Sequence, residues 1–422
     1  MSDPGRFLAG ARRVGDQLCA QAVWNGELCN WIGHAMEEMD EQRFVIEPMV
    51  GALGVDLYAG SAGVALFLAE LASRTEDPRH ARAASAGARR SLEKLRASDV
   101  GFYSGSMGVA HAAGRVGALV GDEALLGRGL SLAAEVAASV VANPDLLPAD
   151  DIISGRAGLI LSLLGMRSIR GGSPLLAHAV RIGEQLLQLA AQEGALWWWP
   201  APAAGLGPQE GAAPALTGYS HGAAGIGLAL IELHAVTRNP VFLEAGVGAF
   251  LYEDQWFSPE HDNWPDLRAW SHPRGDGGSW GRTWCHGAPG IGLARARAIE
   301  LVPALRERLG QDLLAAVRAT RDGLKQLAST LSDATPCHGA AGLAELLLVA
   351  GPTLGDPGCA AEAARVGDAL LQEWSERGSW KSGLPTGGFS PSLLLGTAGV
   401  GYFFLRLHDP ERAPSILVSP HG

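Results

Sequence analysis

Residues 285–298 read CHGAPGIGLARARA, and this stretch holds the pattern that decides the fold: two glycines three positions apart, followed at once by an apolar run. The pattern occurs seven times in the 422 residues, with 45, 50, 67, 65, 52 and 57 residues between successive first glycines. Each interval is long enough for two helices and their loops. The spacing therefore predicts seven copies of one helical hairpin. The first glycines are Gly60, Gly105, Gly155, Gly222, Gly287, Gly339 and Gly396.

The segments between these motifs differ in polarity from the runs that follow the glycines. The runs are apolar on nearly all sides, which is typical of buried helices. Intervening segments such as residues 81–95 and 311–328 have one polar face, which is typical of helices on the outside of a protein. Alternation with a period of two is nearly absent, so few strands are expected. We predict an all-α ring of seven hairpins, with buried inner helices and half-exposed outer helices. An open solenoid is the alternative, but it would require polar end caps.

We expect residues 51–422 to form this ring as a single domain, with residues 1–50 as a helical segment that leads into it. Two long loops, residues 195–217 and 252–284, are rich in Pro and Gly and hold eight of the twelve Trp. Long loops in a compact domain are often functional, so these two are expected to surround a binding site. The alternative is that each Trp packs as the core of its own loop.

Composition excludes several classes of protein. Lys and Arg number 33 against 44 Asp and Glu, a net charge of −11 that argues against binding a nucleic-acid backbone. Five cysteines in a chain of this length are not a disulfide framework. The sequence shows neither a signal peptide nor an apolar stretch of about 20 residues. We therefore expect a cytoplasmic protein without a membrane span.

The repeat gives a common frame for comparing side chains. If the hairpins are equivalent, the residues just before each first glycine gather at one end of the ring. Titratable and sulfur-containing side chains at this level are concentrated in repeats three to six. They are Asp151, His221, Cys285, His286, Cys337 and His338.

Cys285 and Cys337 occupy the same position of their repeats, two residues before the first glycine. Thiolates and imidazoles are typical zinc ligands, and either His286 or His338 could add the nitrogen. Three protein ligands would leave the fourth position open, as in catalytic zinc sites. Two thiolates and one imidazole also give a centre without net charge, which suits the activation of a thiol. His221 and Asp151 could move a proton or act as helix caps.

With these motifs the sequence resembles the lanthipeptide cyclase family, the LanC-like proteins, over essentially its whole length. The resemblance rests on the glycine repeats and on His221-Gly222, Trp284-Cys285-His286-Gly287 and Cys337-His338-Gly339. Within the family it is most similar to the C-terminal cyclase domain of class II lanthipeptide synthetases (LanM). That likeness rests on the segments Asp56-Leu57-Tyr58, Asn263-Trp264-Pro265-Asp266-Leu267-Arg268 and Pro391-Ser392-Leu393-Leu394-Leu395-Gly396.

The resemblance implies an α/α toroid of seven inner and seven outer helices with one Zn²⁺ per chain. Cys285, Cys337 and His338 would be the zinc ligands, and Asp151 and His221 the acid/base pair. The implied reaction adds a peptide cysteine thiol to dehydroalanine or dehydrobutyrine, which forms a lanthionine or methyllanthionine ring. Further contacts to the ligands or the substrate are expected from His286, Trp284, Arg282 and Tyr219.

The sequence departs from the family in two respects. Some members place an arginine four residues before the first zinc cysteine, where this chain has Gly281, with Arg282 one residue later. A LanM enzyme also carries a dehydratase domain, for which 422 residues leave no room. The expected partner is therefore a precursor peptide already dehydrated by a separate protein.

Three other functions are alternatives to the cyclase. The first is the addition of glutathione to dehydrated peptides by the same centre. The second is a non-catalytic subunit that binds the precursor peptide. The third, a toroidal glycosidase, needs two carboxylates that face one cavity, and Asp150-Asp151 is the lone pair of carboxylates in the repeat frame.

Overall fold

The structure, a computed structural model, describes residues 4–38, 46–95, 99–170, 174–200, 214–268, 279–330, 333–385 and 387–418. Within these residues the chain forms fourteen α-helices and three two-stranded β-sheets. The helices are α1 Gly5–Gln21, α2 Ser61–Thr75, α3 Pro78–Lys94, α4 Ser106–Val120, α5 Glu123–Ala142, α6 Arg156–Ile169, α7 Leu175–Leu189, α8 Ala223–Thr237, α9 Pro240–Asp254, α10 Ala288–Leu301, α11 Arg306–Thr330, α12 Ala340–Leu354, α13 Pro357–Arg377 and α14 Thr397–His408.

The even-numbered helices form the inside of a ring. Each packs against the next even-numbered helix, and α14 packs against α2, which closes the ring. The odd-numbered helices lie outside, each against the inner helix that precedes it, and α1 packs against α14. The predicted all-α toroid of seven inner and seven outer helices is thereby confirmed. The open solenoid is wrong, because the first and last repeats are neighbours and need no end caps.

The Gly-x-x-Gly motifs stand where each inner helix begins. Every inner helix starts at the residue after a first glycine. In each motif, a Cβ on the second glycine would press against the carbonyl oxygen six residues earlier, such as Phe102 O for Gly108 and Pro336 O for Gly342. Only glycine allows this approach, because the preceding loop folds back onto the first turn of the helix.

The seven loops that precede the inner helices are joined by backbone hydrogen bonds in a closed circle. These bonds between successive loops measure 2.9 to 3.3 Å from nitrogen to oxygen. The residue two positions before the first glycine takes part in every repeat. These residues are Tyr58, Tyr103, Ile153, Ser220, Cys285, Cys337 and Leu394. This loop ring holds the equivalent positions at one level, as the repeat frame predicts.

The prediction of a helical segment over residues 1–50 is wrong beyond Gln21. The helix α1 is part of the ring, as its seventh outer helix, and the following residues form two antiparallel hairpins. A third hairpin follows α7. The strands are β1 Val23–Asn25, β2 Leu28–Asn30, β3 Ile32–Glu38, β4 Ile46–Ala52, β5 Ala191–Glu193 and β6 Leu196–Trp198.

Two of these hairpins share one local cause. Gly26 and Gly194 each open a two-residue turn with a positive φ, of 62° and 59°, which suits glycine in tight hairpins. A tryptophan then packs back onto the preceding outer helix: Trp31 Nε1 donates to Leu18 O at 2.8 Å, and Trp199 Nε1 to Leu186 O at 2.9 Å. Strands of three residues are too short for an alternation pattern to reveal them.

By length and composition alone, one helix of the described residues could cross a membrane, namely α5. This helix packs against α4 and α7, with Leu125, Ala133, Ala137 and Val140 among its buried residues. Its apolar composition therefore matches its place in the outer layer of the ring. The cytoplasmic location stays a prediction.

Candidate metal centre and active site

The loop ring brings together the three side chains predicted to bind zinc. Ligand atoms of Cys285, Cys337 and His338 all lie within 4.8 Å of one another. The Nε2 atom of His338 is 3.5 Å from Cys337 Sγ. The nitrogen near the two thiols thus comes from His338, whereas His286 turns toward the histidine of repeat four. Both cysteines are buried, so the group is shielded from water on one side.

This donor set fits zinc on its chemistry and its spacing. Sulfur lies about 2.3 Å and nitrogen about 2.0–2.1 Å from Zn²⁺, so tetrahedral ligand atoms are about 3.5–3.8 Å apart. The Cys337–His338 separation falls at the lower end of that range. Two sulfurs and one imidazole suit a thiophilic ion rather than magnesium or calcium. Three protein ligands leave one position for a further ligand.

The pKa values of the two thiols are shifted in opposite directions. The hydrogen bond with Cys337 and the nearby His338 lower the pKa of Cys285 to about 3, although burial opposes this. Burial and the adjacent Cys285 raise the pKa of Cys337 well above its ordinary value. The pair therefore holds one proton firmly, and a divalent cation would displace it.

Two hydroxyl groups contact the sulfurs. Tyr58 Oη is 2.9 Å from Cys337 Sγ, and Thr283 Oγ1 is 3.2 Å from Cys285 Sγ. Tyr58 belongs to repeat one, so its side chain reaches past repeat seven to repeat six. Such contacts fix the orientation of metal ligands and moderate the charge on a thiolate.

His221 and Asp151 form a hydrogen-bonded pair. Asp151 Oδ2 lies 2.6 Å from His221 Nδ1, and Asp151 Oδ1 accepts the backbone N–H of Ser154 at 2.8 Å. The carboxylate is thus held by its own loop and fixes the imidazole, which leaves Nε2 for a reacting group. The ring of His286 stacks on that of His221 with the centroids 5.8 Å apart.

The loop that carries His221 is anchored from outside the ring. Glu253 on α9 is fully buried, and its Oε1 accepts the backbone N–H groups of Gly218 at 2.7 Å and Ala224 at 3.1 Å. Arg295 on the inner helix α10 forms an ion pair with Glu253 at 3.0 Å. An outer helix and a neighbouring inner helix thus both fix the position of His221.

A cavity of about 350 Å³ opens at the centre of the loop ring. It joins the metal-ligating group to the histidine–aspartate pair, since Cys285, His338 and His221 all line it. Arg268 also lines this cavity, and it is the sole Lys or Arg among the described residues that do so. The remaining lining residues are Asp56, Tyr58, Ser104, Ile153, Ser220, Trp284 and His286.

Comparison with known proteins gives the family. A family model described as Lanthionine synthetase C-like protein matches residues 51–418. The chain belongs to this family. A solved structure titled Nisin cyclase has the same fold, with a TM-score of 0.62, 19% identity, and coverage of 85% of this chain and 88% of that one.

Two other solved structures are more distant. One, titled UGL_D88N/dGlcA-Glc-Rha-Glc, has a TM-score of 0.42 and 15% identity, with coverage of 75% of this chain and 84% of that one. A Polysaccharide Lyase, BACCELL_00875, has a TM-score of 0.40 and 14% identity, with coverage of 84% and 90%. Both scores are too low to indicate a shared fold.

Arg282, predicted as a further contact to the ligands or the substrate, lies away from the cavity. Its side chain packs beside Gly323 of α11, and its Nε is buried without a hydrogen-bond partner among the described residues. Gly281 instead forms part of the tight turn, because a Cβ on Gly287 would press on its carbonyl oxygen. The cation of the cavity is Arg268, from a separate loop.

Two further predicted contact residues use their polar atoms to bind residues 417 and 418. The hydroxyl of Tyr219 donates to Val418 O and does not reach the cavity. Trp284 lines the cavity, while its Nε1 donates to Leu417 O at 2.7 Å. Tyr103 likewise donates to Ile416 O. These side chains hold the segment 416–418 inside the ring, where it forms a floor beneath the site.

The tryptophans of the two long loops act mainly as loop cores. Trp197, Trp199, Trp264 and Trp284 are all buried. Residues 201–213 and 269–278, which include Trp270, lie outside the described residues. For Trp197, Trp199 and Trp264 the loop-core interpretation is correct, whereas the buried Trp284 also lines the cavity.

Sequence reasoning missed Tyr58 and Arg268 as site residues. Both lie in segments that the family resemblance singled out, residues 56–58 and 263–268. Tyr58 even stands two residues before a first glycine, at the position that Cys285 and Cys337 occupy in their repeats. That shared position was the signal that could have identified it.

Proposed function

We propose that this protein is a zinc-dependent peptide cyclase that forms thioether rings. One observation carries the proposal: a cavity of about 350 Å³ joins the Cys285, Cys337 and His338 group to the His221–Asp151 pair. A thiol-binding centre and an oriented imidazole in one cavity are what the addition of a thiol to an activated double bond requires.

The reaction balances without an oxidant or reductant. The sulfur of a peptide cysteine bonds to the β-carbon of a dehydroalanine or dehydrobutyrine residue, and the π electrons move onto the carbonyl oxygen. The thiol proton is lost and a proton is added at the α-carbon. When bound, zinc would lower the pKa of the incoming thiol, so that it reacts as a thiolate.

The residues of this chain transfer the proton and hold the reacting groups in position. Asp151 holds His221 by Nδ1, so His221 Nε2 delivers the proton to the α-carbon. Asp151 acts on orientation, because its other oxygen is engaged by the N–H of Ser154. Tyr58 and Thr283 hold the two cysteine sulfurs in place. The cavity has the volume of a small-molecule site and accommodates the reacting residues of a longer peptide.

The substrate is a dehydrated precursor peptide. The test combines metal analysis with such a peptide that also contains cysteine. Cyclisation leaves the mass unchanged but removes one alkylatable thiol for each ring, so alkylation followed by mass spectrometry counts the rings. We expect about one zinc per chain and ring formation by the wild type.

Variants separate the metal group from the acid/base pair. Cys285→Ala is expected to lose both zinc and activity, whereas the matched control Cys359→Ala, at a buried cysteine on α13, keeps both. His221→Asn is expected to keep its zinc and to lower the rate about 100-fold or more. Full cyclisation by a Cys285→Ala protein would overturn the proposal. Glutathione adducts without rings would favour the adduct-forming alternative, and no reaction in either assay would favour the binding subunit.

A further inference from the structure

Arg268 lines the cavity with a half-exposed side chain, although it comes from a loop between α9 and α10. The side chain of Asn263, which is fully buried, fixes this loop to the start of α10. Asn263 Nδ2 donates to Gly281 O at 3.0 Å, and its Oδ1 accepts the N–H of Ala288 at 2.8 Å. Thr217 Oγ1 donates to Pro265 O at 2.5 Å, which ties the same loop to the repeat that carries His221.

The guanidinium itself is oriented by a neighbouring carboxylate. Asp266 accepts from Arg268 Nε at 3.1 Å and from Nη2 at 2.8 Å, which fixes one edge of the planar group. Asp266 Oδ1 also lies 3.7 Å from His286 Nδ1, so the carboxylate stands between the arginine and the loop of Cys285. The backbone N–H of Asp266 is anchored in turn on Ser279 O at 2.7 Å.

This arrangement supplies a charge that the metal group lacks. Two thiolates and one imidazole cancel the charge of Zn²⁺, so that centre does not attract an oxyanion strongly. The addition of a thiolate to a dehydro residue moves a full negative charge onto the carbonyl oxygen. Among the described lining residues, Arg268 is the one side chain that is cationic at every physiological pH.

We propose that Arg268 binds the carbonyl oxygen of the dehydro residue and stabilises the enolate oxygen that forms when sulfur bonds to the β-carbon. The inference rests on the proposed function and adds a residue to it. The S–C bond forms, the C=C π pair moves to the oxygen opposite Arg268, and the oxygen returns that pair when His221 protonates the α-carbon. Arg268 gains and loses no proton. Asp266 is then a positioning residue for the guanidinium.

The test compares Arg268→Gln and Arg268→Lys with Arg318→Gln. Arg318 is a matched control, because it forms a similar two-bond pair with Asp262 and does not line the cavity. With zinc-loaded protein and dehydrated peptide, Arg268→Gln should lower kcat about 100-fold or more with a smaller change in KM, since it removes an interaction of the transition state. Arg268→Lys should fall in between, and Arg318→Gln should match the wild type. The zinc content should stay the same in all three.

Each other outcome decides against the inference. A kcat for Arg268→Gln within about threefold of the wild type overturns it, as does a rise in KM alone, which would mean ground-state binding only. If Arg268→Gln lowers the Tm, Arg268→Lys is the deciding variant. It keeps the positive charge next to Asp266 but loses the planar guanidinium group. A kcat of that variant no higher than that of Arg268→Gln would then refute the role, because retaining the charge would not restore the rate. Failure of the wild type to close any ring overturns the proposed function itself, which separates the two failures.

Discussion

Inner and outer helices of the ring begin in different ways. Outer helices α3, α5, α9 and α13 start after Asp77, Asp122, Asn239 and Asp356, whose side chains accept a backbone N–H of the first turn. None of the seven inner helices has such a side-chain cap; each starts after a glycine. In six of them the first N–H group bonds to a backbone carbonyl of the preceding loop, as Ala340 N does to Asp333 O at 3.1 Å, whereas Ala288 of α10 donates to the side-chain Oδ1 of Asn263 at 2.8 Å.

The difference shows where the fold leaves side chains available for chemistry. At the outer starts, the side chain just before the helix is used for stability. At the inner starts, glycines and backbone carbonyls provide that stability. The two residues before each first glycine are therefore not needed as caps and can vary. The same frame carries Leu394-Leu395 in repeat seven and Cys337-His338 in repeat six. A ring of equivalent backbones thus carries metal-ligating side chains in one repeat and apolar side chains in the next.

The largest effect on stability is expected from a substitution at the second glycine of an inner helix start. In Gly342→Ala the new Cβ would press on the carbonyl group of Pro336, which is backbone and cannot rotate away. The loop that carries Cys337 would have to move. We expect the free energy of unfolding to fall by about 3 kcal/mol or more, measured by chemical denaturation.

The control for that substitution is Gly310→Ala in the outer helix α11. A Cβ at Gly310 meets nothing within 4 Å, so the change removes only the conformational freedom of a helical glycine. This variant should be more stable than the wild type by about 0.5–1 kcal/mol. Equal stabilities of the two variants would show that the inner glycines are not required by close approach.

The next largest effect is expected at Tyr58, which stands two residues before the first glycine of repeat one. Tyr58→Phe removes the hydroxyl 2.9 Å from Cys337 Sγ and leaves the ring in place. Loss of a hydrogen bond to a metal ligand should weaken zinc binding about 10- to 100-fold, measured by competition with a chelator. Tyr402→Phe is the matched control, since its hydroxyl donates to Pro414 O at 2.9 Å away from the cysteines. A weakening of the same size in both variants would argue against a specific role for Tyr58.

The contrast between inner and outer helix starts also explains how much of the fold the sequence could predict. The ring and the position of the site along it were predictable, because each second glycine is required by a close backbone contact. At Gly108, for example, a Cβ would press on the carbonyl oxygen of Phe102. The place of α1 was not, since it depends on packing against α14 at the other end of the chain. The hairpin after α1 was missed because its two three-residue strands are too short for a pattern, although Gly26 marks its turn.

The candidate site was predictable only as far as the repeat register reaches. Cys285, Cys337, His338 and His221 all stand one or two residues before a first glycine, so comparison of the repeats finds them. Arg268 lies outside that frame, and its place depends on the buried Asn263 that pins its loop to α10. No local pattern encodes such a contact.

The smallest predicted effect lies at an outer start. Asp77 accepts the N–H of Arg79 at 2.9 Å, and its hydrogen bonds with Arg79 lower the pKa of Asp77 to about 2. Asp77→Ala should lower the free energy of unfolding by about 1 kcal/mol near neutral pH. Because the folded pKa lies below the unfolded value, this contribution is present above about pH 4 and is lost as the pH falls toward 2. Denaturation at pH 6 and pH 3 should show the cost of Asp77→Ala shrinking, while the difference in stability between Asp77→Asn, which keeps the cap without the charge, and Asp77→Ala should change little with pH. A cost at pH 6 as large as that of Gly342→Ala would mean that outer starts fix the ring as firmly as inner ones, and the contrast between them would fail.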